Sequence, residues 1–129
     1  MGPTGRTIAA NIARLRGAAG LTTAQLAARM EGSGHAITAS AITKTELGQR
    51  KVEAEELLAF AVALGVNVSA LLLPLTIDGT TEVSYVGEVP AADAWAWADG
   101  ERPLVNADDE DTALAFQLHG RPAGRRSLS

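Results

Sequence analysis

A chain of 129 residues, 47% of them apolar but only 4% aromatic, has enough material for one compact domain with an appendage, on a core of Ala, Leu, Ile and Val. The absence of Cys excludes disulfides and thiolate metal sites, and the two His, His35 and His119, lie far apart without ligand spacing, so no metal and no other cofactor is expected. The net charge of −4 is unevenly spread: residues 1–74 carry seven Lys/Arg against five Glu, whereas residues 75–129 carry four Arg against ten Asp/Glu, so only the first part has a balance suited to polyanions.

In chain order, Met1 to Arg6 reads as a flexible arm with Gly2, Pro3 and Gly5. No apolar signal-peptide region follows Arg6, and the most apolar stretch, from Leu57 towards Leu75, is interrupted by Gly65, Asn67 and Ser69 and closed by Pro74. No membrane association is therefore expected, and the chain reads as a cytoplasmic protein. A first helix is predicted from Thr7 to about Ala18, with Ile8, Ile12 and Leu15 on one face, stopped by Gly20. Thr22 with Gln25 forms a capping box opening a second helix that ends near Met30. Thr22 is expected to act as a cap rather than as a ligand contact. Glu31 to Ala36 reads as a loop in which His35 is a bystander. Thr38 is a good N-cap for a third helix running to about Leu47 before Gly48.

A fourth helix is predicted over Val52 to Leu64, with Leu57, Leu58, Ala61 and Leu64 inward. Glu53, Glu55 and Glu56 form its solvated acidic start. Val68 to Leu73 makes a short fifth helix. Beyond Pro74 the pattern alternates: Leu75 to Ile77 and Thr81 to Val86 read as a β-hairpin turning at Asp78-Gly79. Short helices follow at Ala91 to Ala98 and Asp108 to Leu118, and the tail from Gly120 is expected to be disordered, with Arg121, Arg125 and Arg126 inert. The predicted organisation is an arm (1–6), a helical domain (7–74), a small α+β region (75–119) and a tail (120–129).

Five short helices with a tight pair at positions two and three suggest a helix-turn-helix bundle. The residues also carry a resemblance. Ala19-Gly20-Leu21-Thr22-Thr23-Ala24-Gln25-Leu26-Ala27, the segment Ile37 to Arg50 with its Glu46-Leu47-Gly48-Gln49-Arg50 ending, and Leu57 to Val66 are together similar to the Xre/Cro-type, lambda-repressor-like helix-turn-helix regulators, over about residues 7–74. The chain departs from that family by inserting several residues around Gly32 to Ala36.

The resemblance implies a mainly α fold, a five-helix bundle followed by a small α+β appendage, and binding of double-stranded DNA. In such readers the second helix of the pair enters the major groove by its N-terminal part. On that geometry Ala39, Ser40, Thr43 and Lys44 face bases, Lys44 with reach to guanine and Ala39 to a thymine methyl. Thr23 matches a position that usually holds a phosphate, and Thr38, Gln49, Arg50 and Lys51 are further phosphate candidates. Arg16 and Glu46 match positions that pair structurally.

A homodimer is expected, with the C-terminal region supplying much of the interface or binding another protein. Tyr85, Trp95 and Trp97 are either its interface anchors or the small core of the appendage. The implied function is a transcription regulator, a repressor of phage-immunity, antitoxin or stand-alone type. The alternative is a protein-interaction module that keeps the fold without DNA binding, in line with the net acidity and the small groove-facing residues. No nucleophile–base pair, phosphate loop or carboxylate pair points to an enzyme.

Overall fold

Helix α1 (Pro3–Ala18) begins four residues before the Thr7 start expected from the sequence. Pro3 stands in the first turn, where a missing N–H costs nothing and the fixed φ is already helical, so a residue that reads as a breaker acts as a starter. The computed structural model describes residues 1–128. It divides into a first unit, Met1–Leu75, and a second from Thr76 onward.

In the first unit, α2 (Thr23–Gly32) opens with the reciprocal Thr22–Gln25 capping box and runs two residues past Met30. Helix α3 (Ala39–Glu46) is capped by the Thr38 hydroxyl, which accepts from the Ala41 amide at 3.0 Å. Helix α4 (Ala54–Leu64) ends on Gly65 in the left-handed region at φ 73°, where a side chain would be strained. Helix α5 (Ser69–Leu72) is a single turn. All five contribute to one core: Ile8 and Ile12, Leu26 and Met30, Ile42, Phe60 and Leu71.

Of the residues expected inward on α4, Ala61 is buried and Leu57 and Leu64 pack against the core, but Leu58 does not. Glu56, Phe60, Ala61 and Ala63 point inward, whereas Leu58 is 55% and Val62 68% exposed. Helix α4 is apolar almost all round, so its period alone does not select a face. Packing of the large Phe60 ring into the core decides it, and that rotation carries Glu56 inside, one turn before the ring.

Helix α1 is tied to α5 by a polar contact. The buried Asn11 side chain donates to the Leu71 and Leu73 carbonyls at 2.9 and 2.8 Å, satisfying groups that the short α5 leaves open at its C-terminus. Asn11→Leu strands both carbonyls beside an apolar group and is expected to cost about 1–3 kcal/mol in chemical denaturation. An unchanged denaturation midpoint would show that water replaces the amide.

The second unit starts from a two-stranded antiparallel sheet, β1 (Thr80–Val83) with β2 (Gly87–Pro90), in a register pairing Thr80 with Pro90 and Val83 with Gly87. The hairpin is therefore later in sequence than expected. Its tip is Ser84-Tyr85-Val86, closed by the Val86 amide on the Val83 carbonyl, and not Asp78-Gly79. Leu75 and Ile77 stay exposed, and the Thr76 hydroxyl turns the chain by accepting from the Asp78 amide. Gly87 and Pro90 disguise β2 as a loop, but each lies at a strand end where neither interrupts the ladder.

Helix α6 (Ala91–Ala98) follows directly and packs on both strands through Ala91 and Ala94. Helix α7 (Glu110–Gly120) is capped by the Asp109 carboxylate, which accepts from the Thr112 amide and is held below the usual Asp range by the Thr112 hydroxyl and amide. The segment after Gly120 returns to α7. Arg126 donates to the Gln117 and Leu118 carbonyls, and the Ser127 amide donates to the buried Gln117 side chain. An arginine thus caps the open C-terminal end of α7.

Candidate nucleic-acid interface

Helices α2 and α3 are consecutive and joined by the Ser33–Ile37 turn. Helix α3 turns Ile42 and Thr45 to the core, both fully buried, and the Thr45 hydroxyl is satisfied by the Ala41 carbonyl at 2.8 Å. Burial of that side leaves Ser40, Thr43, Lys44 and Leu47 facing solvent at i, i+3, i+4, i+7 spacing, a single stripe along the helix. Ala39 is half-buried at the first position, and its carbonyl accepts from the Thr43 hydroxyl at 3.1 Å. The expected base-facing residues are thus accessible side by side, and they include a long cation, two hydroxyls and a methyl group.

Thr38 is exposed and precedes the stripe. Thr23 is half-buried at the start of α2. Neither α2 nor α3 has an acidic residue in its first turn, so both positive helix ends are left without a carboxylate. Gln49 and Lys51 are exposed just after α3.

Arg50 stands apart from these. Its guanidinium makes two hydrogen bonds to the Glu56 carboxylate, that from Nη2 at 2.9 Å, and a further one to the Thr45 hydroxyl at 3.3 Å. Glu56 is only 6% exposed, and it also meets His35, whose Nε2 lies 2.7 Å from Glu56 Oε2. Glu56 is therefore not a solvated helix start, and His35 is not a bystander. Burial pushes the Glu56 carboxyl up, but the hydrogen bonds from Arg50 and then His35 outweigh burial and hold it below the usual Glu range. The Arg50 guanidinium is correspondingly raised, first by its hydrogen bond to Glu56.

The sequence signal for this cluster is weak. It consists of a carboxylate one helical turn before Phe60, with partners 6 and 21 positions away.

A second ion pair braces the other side. Arg16 of α1 binds Glu46, the last residue of α3, through Nε at 2.6 Å and Nη2 at 2.8 Å, and also donates to the Leu21 carbonyl at 2.8 Å. The hydrogen bond to Glu46 raises the Arg16 guanidinium. Helix α3, only eight residues long, is thus fixed by ion pairs as well as by Ile42.

In the second unit, Tyr85 sits fully exposed at the hairpin tip with φ 69°, a left-handed conformation uncommon for a residue other than Gly or Asn. Trp95 is half-buried and Trp97 is 40% exposed, on different faces of α6. Among the described residues of this unit, the buried positions are Ala91, Ala94, Pro103 and Gln117. Among the described residues no group of three or more His, Cys, Asp or Glu is placed to hold a metal ion. No helix among them is long and apolar enough to cross a membrane.

A family model of the helix-turn-helix domain matches residues 7–72. No curated protein and no solved structure matches the chain.

Proposed function

From the chain's membership of the helix-turn-helix domain family, we propose that it is a sequence-specific, double-stranded DNA-binding transcription regulator that reads the major groove with α3. The observation that carries this reading is the solvent-facing stripe of Ser40, Thr43 and Lys44, on a helix whose first turn holds no acidic residue. Lys44 offers donors to guanine O6 and N7, Ser40 and Thr43 bond either base type, and Ala39 meets a thymine methyl. Thr23, Thr38, Gln49 and Lys51 hold phosphates. Arg50 braces α3 through Glu56 and contributes to phosphate binding only through its residual exposure.

Within the family we assign the chain to the Xre/Cro-type, lambda-repressor-like regulators, acting as a repressor. It works as a homodimer on two half-sites, with the unit from Thr76 onward, including Tyr85 and Trp97, supplying the contact between copies. A chain that stays monomeric in light scattering at micromolar concentration overturns that part.

Binding to duplex DNA recovered from a random pool tests the central reading. Lys44→Ala is expected to weaken the selected duplex by about 1–3 kcal/mol and relax the preference at one position. Lys51→Ala is expected to weaken all duplexes alike and reduce the salt slope by about one. Affinity that does not fall with salt, or that all these variants leave unchanged, overturns it.

The second reading is a protein-interaction module on the same fold. Leu47 favours it, since it is 65% exposed on the same stripe as Lys44. Salt dependence separates the two, because an apolar contact lacks the steep loss that counterion release imposes.

A further inference from the structure

Five residues, Ser33 to Ile37, join the end of α2 to the N-cap of α3. Gly34 lies among them at φ 96°, the left-handed conformation that turns the chain off the end of α2. The backbone of this connection is held to α2 where the His35 amide donates to the Met30 carbonyl at 3.0 Å. Besides the Ser33 hydroxyl on the Arg29 carbonyl, its side chains include His35, whose Nε2 ties it to Glu56 of α4 at 2.7 Å. On the other flank of α3, Arg50 joins Thr45 to the same carboxylate. A single buried group on α4 therefore holds the chain both before and after the exposed stripe.

We propose that Glu56 and His35 are positioning residues for α3, and that the proton on His35 sets how firmly this helix is held against duplex DNA. The proposal rests on the DNA-binding reading above. Because Glu56 is ionised, Nε2 carries a hydrogen and donates. The bond to that anion is charge-assisted already with a neutral ring, and protonation of His35 adds the attraction of opposite charges to it.

The charged groups around the ring are few. On α4, Glu56 receives it, and Glu55 lines the same surface recess together with Ser33 and Gly34. Arg50 faces it across the shared carboxylate, with Glu53 acting on Arg50 in turn. On α2, Glu31 lines a neighbouring recess with Arg50 and Thr38.

Duplex phosphates brought up to Thr38 add negative charge three residues from His35. That charge favours the protonated ring in the complex over the free protein, and by linkage affinity rises as pH falls.

The test is fluorescence anisotropy of the full chain with labelled duplex DNA recovered from a random pool, at constant ionic strength, from about pH 8 to about pH 5.5. Wild type is expected to bind about three- to tenfold more tightly at the acid end. His35→Gln keeps a donor near Glu56 without a titrating charge, and its profile is expected to be flat, while His119→Gln keeps the wild-type slope. Thermal melts confirm that each variant is folded. A flat wild-type profile, or an unchanged slope in His35→Gln, overturns the coupling and leaves salt-sensitive DNA binding standing. No binding at any pH overturns both.

Discussion

Phe60→Ala is expected to destabilise the first unit by about 3–5 kcal/mol, whereas Leu58→Ala, two positions away on the same helix, changes stability by about 0.5 kcal/mol or less. Phe60 is fully buried among side chains from every helix of the unit, including Ile42 of α3, so its removal leaves a cavity that small neighbours do not fill. Leu58 is 55% exposed and makes no comparable contribution to the core. Small domains are stable by about 5–15 kcal/mol in all, so the loss removes a large share of the folding stability. Urea denaturation of both variants measures the contrast. Equal costs would mean that Leu58 is packed inward as the sequence pattern suggests. DNA binding follows the same order, because α3 rests on the core through Ile42, and Phe60→Ala loosens the surface behind it.

Arg50→Ala is expected to cost about 2–4 kcal/mol of folding stability, and Lys51→Ala about 0.5 kcal/mol or less, although the two cations are adjacent in sequence. The difference lies in Glu56. Removing Arg50 leaves a buried carboxylate with only His35 to compensate, whereas Lys51 is exposed. The retained His35 contact and the partial exposure of Arg50 place the cost below that of a fully enclosed pair.

Acid gives an independent check. Glu56 is held below its ordinary value in the folded chain, so its stabilisation is fully present above the unfolded Glu value of about 4.3 and is lost as pH falls through the folded value. Wild type is therefore expected to lose stability over that interval, and Glu56→Gln to lose less there, having less to lose. Identical acid profiles for the two proteins would remove Glu56 as a stabilising anion.

Both predictions turn on places where local pattern and tertiary packing disagree. In α4, ten of the eleven positions from Ala54 to Leu64 other than Phe60 are Ala, Leu, Val or Glu, and several faces satisfy a helical period equally well. Leu58 looks as fit for the core as Phe60 until the size of the ring is set against the space left by Ile12, Leu26 and Ile42. Glu56 looks like a surface carboxylate because its partners, Arg50 and His35, are supplied by two different loops. The β1–β2 register is lost for a related reason: Asp78-Gly79 is a good turn dipeptide, but the partner strand that decides the pairing lies beyond it.

The sequence by itself determined the features governed by near neighbours. Thr22 with Gln25, Thr38 before Ala39 and Gly65 after Leu64 mark helix ends through contacts a few residues long, and the bounds of α6 were legible in the same way. The run from Ala19 to Arg50 made the helix-turn-helix pair readable for the same local reason. Only the tertiary structure decided which face of α4 is buried, which of Arg50 and Lys51 is bound inward, and what His35 does, because each depends on charge and volume brought together from distant parts of the chain.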